Sequence, residues 1–234
     1  MLGFYNYTVW LTYLSLLSAM MGIIVALNGT GHPFLGMFFL LVSGLCDTFD
    51  GTVARTKQNR TDAEKSYGIQ IDSLSDLIAF GALPACIGVA MLRVSPRLPE
   101  IPNIRAENRF EGPFSILIYA ILLFYVLAAL IRLAYFNVAE EERQKNEGGA
   151  RTYYEGLPVT SAALIFPTVL LIQQLTPFDI TPVYFGAMFL TAIAFIVRFR
   201  VKKPKFKEIL LMVLIGAVEF AILLFFWFFL SGRR

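Results

Sequence analysis

Histidine, cysteine and charge are all scarce in this chain. One histidine, His32, and two cysteines, Cys46 and Cys86, stand among 234 residues. Neither cysteine belongs to a C-x-x-C motif and both lie in apolar stretches, so a disulfide framework or a thiolate zinc site is excluded. They read as small buried hydrophobes. His32 falls in the turn NGTGHP and reads as a solvated side chain. Only 16% of the residues are charged and 57% are hydrophobic, whereas a water-soluble domain carries about 25% charge. A net charge of +3 is too small to suggest nucleic acid as a partner. No repeat divides the chain into inverted halves. The opening MLGFYNYTVW lacks the positive n-region and small-residue cleavage site of a signal peptide, and reads as an aromatic interfacial lead-in to a first span.

Apolar length, by contrast, is plentiful. A spanning helix needs about 20 mostly apolar residues. Seven stretches reach or approach this: 8–27, 34–55, 67–92, 114–138, 157–174, 181–198 and 208–230. The breaks between them carry turn residues, as in NGTGHP, the proline-bearing segment 93–113 and QQLTPFDITP. The expected fold is an all-α integral membrane protein. Six helices form a membrane domain over 1–200, and 201–234 supplies a basic linker and a seventh, C-terminal span. Thirteen of the twenty Lys and Arg fall in 55–65, 139–156 and 198–207. The positive-inside rule puts those segments, and the amino terminus, in the cytoplasm. The run RFRVKKPKFK reads as a stop signal of that kind, with anionic lipid headgroups as a further contact.

Against this background the stretch CDTFDGTVARTKQNRTDAEKSYGIQIDSLSD is anomalous. A charge at the bilayer centre costs roughly 2.5–3.5 kcal/mol on insertion scales, and here four aspartates border apolar runs. Asp47 and Asp50 are spaced i, i+3, with Gly51 and Arg55 continuing the same helical face. Gly68, Asp72 and Asp76 are spaced i, i+4, i+8 on the next helix. A short connection makes the two helices antiparallel neighbours, so the four carboxylates converge. Carboxylates without His or Cys favour hard divalent ions, Mg²⁺ or Mn²⁺, and a two-metal site clamps both oxygens of a phosphoryl-type transfer. Gly51 and Gly68 leave room for a ligand, and Arg55 offers a bidentate donor to phosphate. The competing readings are a structural polar network and a divalent-cation path. Four carboxylates on two matched faces, with two glycines and an arginine in register, favour the metal site.

Asp47-x-x-Asp50-Gly51-x-x-Ala54-Arg55 followed by Gly68-x-x-x-Asp72-x-x-x-Asp76 resembles the signature of the CDP-alcohol phosphotransferases. That family usually has eight residues between the arginine and the second glycine; this chain has twelve. The extra four imply a longer helix end. QIDSLSDLIAFGALPA, IRLAYFNV and EGLPVTSAA look like the phosphatidylserine synthase branch, with Tyr135 standing where a second arginine is usual. The resemblance implies a six-helix membrane enzyme of a prokaryotic plasma membrane, with its site open to the cytoplasm. It implies transfer of a phosphatidyl group from CDP-diacylglycerol to L-serine, giving phosphatidylserine and CMP. Two divalent cations would sit on Asp47, Asp50, Asp72 and Asp76, with Asp76 also the general base. Asp47, Gly51, Ala54, Arg55 and Gly68 would bind the CDP-lipid. A homodimer is implied as well.

The acceptor side is less specified. Arg132 is the one cation inside a span, which points to an acceptor or phosphate contact or to pairing with a site carboxylate. Asn137 and Arg151 join it as acceptor candidates. Asn137 reads equally as a helix cap, and Glu155, Gly156 and Pro158 as the start of the next helix. Acceptors such as glycerol 3-phosphate or an inositol phosphate call for more basic residues than Arg132 and Arg151, which favours serine. Glu219, alone in the last span, is expected to bond a neighbouring helix.

Overall fold

The computed structural model describes residues 3–29, 31–94, 113–146, 153–175, 179, 181–202 and 206–231. The chain is an all-α membrane protein. Its helices are α1 (Trp10–Leu27), α2 (Pro33–Thr56), α3 (Asp62–Asp76), α4 (Leu83–Val94), α5 (Pro113–Asn146), α6 (Ala162–Leu175), α7 (Thr181–Ile196) and α8 (Phe206–Ser231). A π-helical segment, Leu77–Ala82, joins α3 and α4 into one rod. Two three-residue strands, β1 (Tyr153–Glu155) and β2 (Arg200–Lys202), pair antiparallel. Among the described residues, five helical rods are long and apolar enough to cross a membrane; α6 and α7 are apolar but shorter.

Local chemistry fixes the ends that matter. Asn6 caps the 3₁₀ turn Tyr7–Val9 that leads into α1, its Oδ1 accepting from the Thr8 amide at 3.1 Å. Proline opens α2, where the missing N–H costs nothing. A capping box starts α3: the Thr61 hydroxyl accepts from the Glu64 amide, and Glu64 accepts from the Thr61 amide at 2.9 Å. This box places the start of α3 six residues before Gly68, so Gly68, Asp72 and Asp76 all lie on one continuous helix.

The π segment also has an identifiable cause. Pro84 has no N–H to offer the Phe80 carbonyl four residues back. The Tyr125 hydroxyl donates to that carbonyl at 2.5 Å, and the Tyr184 hydroxyl donates to the Pro84 carbonyl at 2.7 Å. Both tyrosines are fully buried, in an aromatic core with Phe166 and Phe195.

α1 and α2 approach closely because the facing residues are small. Ser15, Ala19, Gly22 and Ala26 line α1, while Gly36, Leu40 and Ser43 line α2. Ser15 and Ser43 donate to each other's carbonyl, at 3.3 and 3.0 Å. Continued toward the end of α2, the same stripe reaches Asp47. α8 packs on α2 through stacked Phe38 and Phe220 and meets α6 where Glu219 bonds the Thr168 hydroxyl, so Glu219 does pair with a neighbouring helix. α5 runs to Asn146, past the end at about 138 that hydropathy suggests. The polar run EEERQKN is helix-forming, and Arg143 pairs with Glu140 at 2.6 Å. Asn137 is therefore inside a helix and does not cap it.

A Cβ on Gly44 would lie 2.6 Å from the Cβ of Ala163, pressing α6 off α2. Gly44→Ala is expected to cost about 1–3 kcal/mol, seen as a lowered midpoint of thermal unfolding in detergent.

Candidate active site

The last turns of α2 and of α3 bring Asp47, Asp50 and Asp72 together. One carboxylate oxygen from each lies within 4.8 Å of the other two. Asp76 is 7% exposed and lies beside Asp47, and Asp72 lies beside Asp50. Among the described residues no lysine or arginine is ion-paired with any of the four. Like charges this close need positive charge or protons between them. Asp72 Oδ1 is buried without any partner. An all-oxygen donor set with an orphaned carboxylate oxygen fits a hard divalent ion, so the cluster can hold a metal.

One member of this site lies on a helix whose sequence drew no attention. The Thr12 hydroxyl, on α1, donates to Asp50 Oδ2 at 3.0 Å, and the Thr12 carbonyl accepts from the Ser75 hydroxyl at 3.2 Å. Thr12 thus fixes the orientation of one carboxylate and the seating of the helix that bears two others. The signal was present: Thr12, Ser15 and Ser18 form a polar line in an apolar run, and all three are buried.

The other residues singled out from the motif fall in two groups. Arg55 folds back along α2, its Nη1 3.5 Å from where a Cβ on Gly51 would be, and its Nη2 donates to Thr52 at 3.4 Å. The carbonyl of Ala54 and the open face of Gly68 both meet Arg60, which lies between α2 and α3. Asn137 donates from α5 to Ser73 Oγ at 2.8 Å, bracing the helix beside Asp72.

Arg132 sits apart from the carboxylate cluster, in a cavity of about 150 Å³ that Tyr135, Glu155 and Arg198 also line. Arg132 is 5% exposed; its Nε donates to the Leu157 carbonyl at 3.1 Å and its guanidinium lies 5.4 Å from the centre of the Phe136 ring. The Tyr135 hydroxyl donates to Glu155 at 2.9 Å, and the Arg198 guanidinium lies over the Tyr135 ring at 5.2 Å. A guanidinium therefore stands beside position 135 although the residue there is tyrosine. Gly156 holds this wall in place with φ +75°, its N–H donating to the Phe199 carbonyl at 2.7 Å, while the Leu157 amide serves the end of α7 at Ala194. Between the Ser73–Asn137 and Phe80–Tyr125 bonds the two rods run antiparallel, so Arg132 and Asp76 stand within about one helical turn in depth. Arg151 lies outside the described residues.

A family model for CDP-alcohol phosphatidyltransferases matches residues 5–232. The chain belongs to that family. It is 33% identical over 159 residues to the CDP-diacylglycerol–serine O-phosphatidyltransferase of Saccharomyces cerevisiae, covering 67% of this chain and 49% of that protein. It is 31% identical over 152 residues to the archaetidylserine synthase of Methanothermobacter thermautotrophicus, covering 64% and 53%. To the CDP-diacylglycerol–serine O-phosphatidyltransferase of Mycobacterium tuberculosis it is 26% identical over 155 residues, covering 66% and 45%. The chain spans about half the length of these curated relatives. No solved structure matches it.

Thr12→Val keeps the shape and removes the hydroxyl from Asp50. Partners that orient metal ligands typically contribute 10- to 100-fold in affinity. The variant is expected to need about tenfold more Mn²⁺ for half-saturation, read from the free-ion electron paramagnetic resonance signal.

Proposed function

We propose that this protein transfers a phosphatidyl group from CDP-diacylglycerol to L-serine, giving phosphatidylserine and CMP. The observation that carries the reaction class is the group of three carboxylates within 4.8 Å, with Asp72 Oδ1 buried and unpartnered. What supports serine as acceptor is twofold: the relatives that are serine O-phosphatidyltransferases, and the cavity at Arg132. Two guanidinium groups and one carboxylate suit a zwitterion, with Arg132 and Arg198 toward the carboxylate of serine and Glu155 toward its ammonium. A phosphorylated alcohol would meet Glu155 as a like charge.

In this reading Asp47, Asp50, Asp72 and Asp76 hold two divalent cations, Mg²⁺ or Mn²⁺. Held there, divalent cations would supply positive charge to the pyrophosphate of the CDP-lipid and to the departing phosphate. Gly51, Ala54 and Gly68 leave space for the cytidine, and Arg55 binds a phosphate oxygen. Asp76 takes the proton of the serine hydroxyl as its oxygen attacks the β-phosphorus. A phosphorus–oxygen bond to serine forms, the bond to CMP breaks, and CMP leaves carrying the negative charge. Asn137 keeps the helix of Asp72 and Asp76 seated through Ser73. The basic ends of the helices face the cytoplasm of a prokaryotic plasma membrane, and the protein works as a homodimer in the bilayer.

CMP release from the protein in lipid micelles is expected to require both serine and Mn²⁺ or Mg²⁺, and to stop with EDTA. Release with glycerol 3-phosphate in place of serine would reject the acceptor assignment. Asp76→Asn is expected to lower turnover by about 10² or more while thermal unfolding stays as in the parent. Glu155→Gln is expected to raise KM for serine about tenfold and to leave KM for the CDP-lipid unchanged.

A further inference from the structure

The connection between α2 and α3 carries an arginine that no part of the motif accounts for. The residues around it are firmly held. Lys57 pairs with Glu64 at 2.6 Å, Asn6 donates to the same carboxylate at 2.9 Å, and Glu64 closes the capping box on Thr61. Arg60 itself is held weakly. Its Nη1 reaches the Ala54 carbonyl at 3.5 Å and its Nη2 the Glu64 carbonyl at 3.3 Å, both at the long limit of a hydrogen bond. Its Nε is buried with no partner, and among the described residues no carboxylate pairs with it.

Its position is specific. A Cβ on Gly68 would lie 2.7 Å from Arg60 Nη2, so the guanidinium fills the space that this glycine leaves. Gly68 is four residues before Asp72, about one helical turn or 6 Å along α3. The guanidinium therefore stands one turn above the carboxylate cluster, between the small residues Ala54 and Gly68, with Arg55 on the neighbouring helix end. A cation carried there without a counter-ion is a site for one. Guanidinium only donates, so whatever replaces its two long carbonyl bonds must offer acceptors in a plane. Phosphate oxygens do so, and so do O2 and N3 of cytosine.

We propose that Arg60 is a binding residue for the nucleotide half of the CDP-lipid. On binding, the guanidinium exchanges the Ala54 and Glu64 carbonyls for acceptors of the nucleotide, and the buried Nε gains the partner it lacks. This inference rests on the donor in the proposed function and is independent of the acceptor.

The test is calorimetric titration of the full-length protein, in detergent with Mg²⁺, with CDP, CMP, cytidine and inorganic pyrophosphate. Arg60→Ala is expected to weaken CDP about 10- to 100-fold, and Arg60→Lys less. CMP and pyrophosphate weakened with cytidine unchanged supports phosphate as the contact; cytidine weakened as well supports the base. Arg60→Gln, which keeps much of the side-chain stem and removes the charge, is expected to weaken CDP too, and serves if Arg60→Ala fails to fold. Unchanged CDP affinity in all three variants would reduce Arg60 to a brace between α2 and α3. Tighter CDP binding by Arg60→Ala would make it a plug that the nucleotide must displace, and either result overturns the inference. Wild-type protein that binds no cytidine nucleotide overturns the donor assignment and this inference with it. Wild-type protein that binds CDP but does not use serine leaves this inference standing and removes only the acceptor.

Discussion

Four carboxylates packed against each other at the edge of a bilayer repel one another and resent the loss of water. Everything near them is arranged around that constraint. The α1–α2 stripe of small residues brings Thr12 within 3.0 Å of Asp50. The capping box sets the phase of α3, so that Gly68, Asp72 and Asp76 face α2. Asn137 holds α3 from the opposite side through Ser73. No cation among the described residues is ion-paired with the cluster.

The surrounding guanidinium groups extend this logic. Arg55 and Arg60 stand a turn or so nearer the helix ends than the carboxylates, and Arg132 and Arg198 line a separate cavity at similar depth to Asp76. Guanidinium groups, which only donate, thus stand in two places, by the helix ends above the cluster and in the separate cavity. In the proposed function the phosphate chain and the zwitterion face different guanidinium groups, so the two would bind without sharing a charge partner.

Much of this was readable before any coordinates, for a geometric reason. Helical periodicity converts spacing into shared faces, so Asp47, Asp50 and Asp72 could be brought together from sequence alone. Partners contributed by distant helices carry no such regularity. Thr12 lies 38 residues from Asp50, and its only advertisement is a polar line with Ser15 and Ser18. Arg198 reaches Tyr135 because α7 ends beside the middle of the last turns of α5, which no local pattern reports. The π segment was hidden for another reason: Pro84 leaves the Phe80 carbonyl without a helical donor, and the hydroxyl that takes it comes from Tyr125 on a distant helix. Hydropathy also ended α5 too early, because a helix that leaves the bilayer turns polar without unwinding.

The shortness of α6 and α7 bears on the membrane itself. With 14 and 16 residues, they rise about 21 and 24 Å, against a hydrocarbon core of about 30 Å. Such hydrophobic mismatch is relieved by thinning the surrounding bilayer. The cavity of Arg132 and Glu155 lies at the ends of these two helices. A bilayer that thins to match them brings water closer to that cavity, and a water-soluble molecule then has a shorter descent to it.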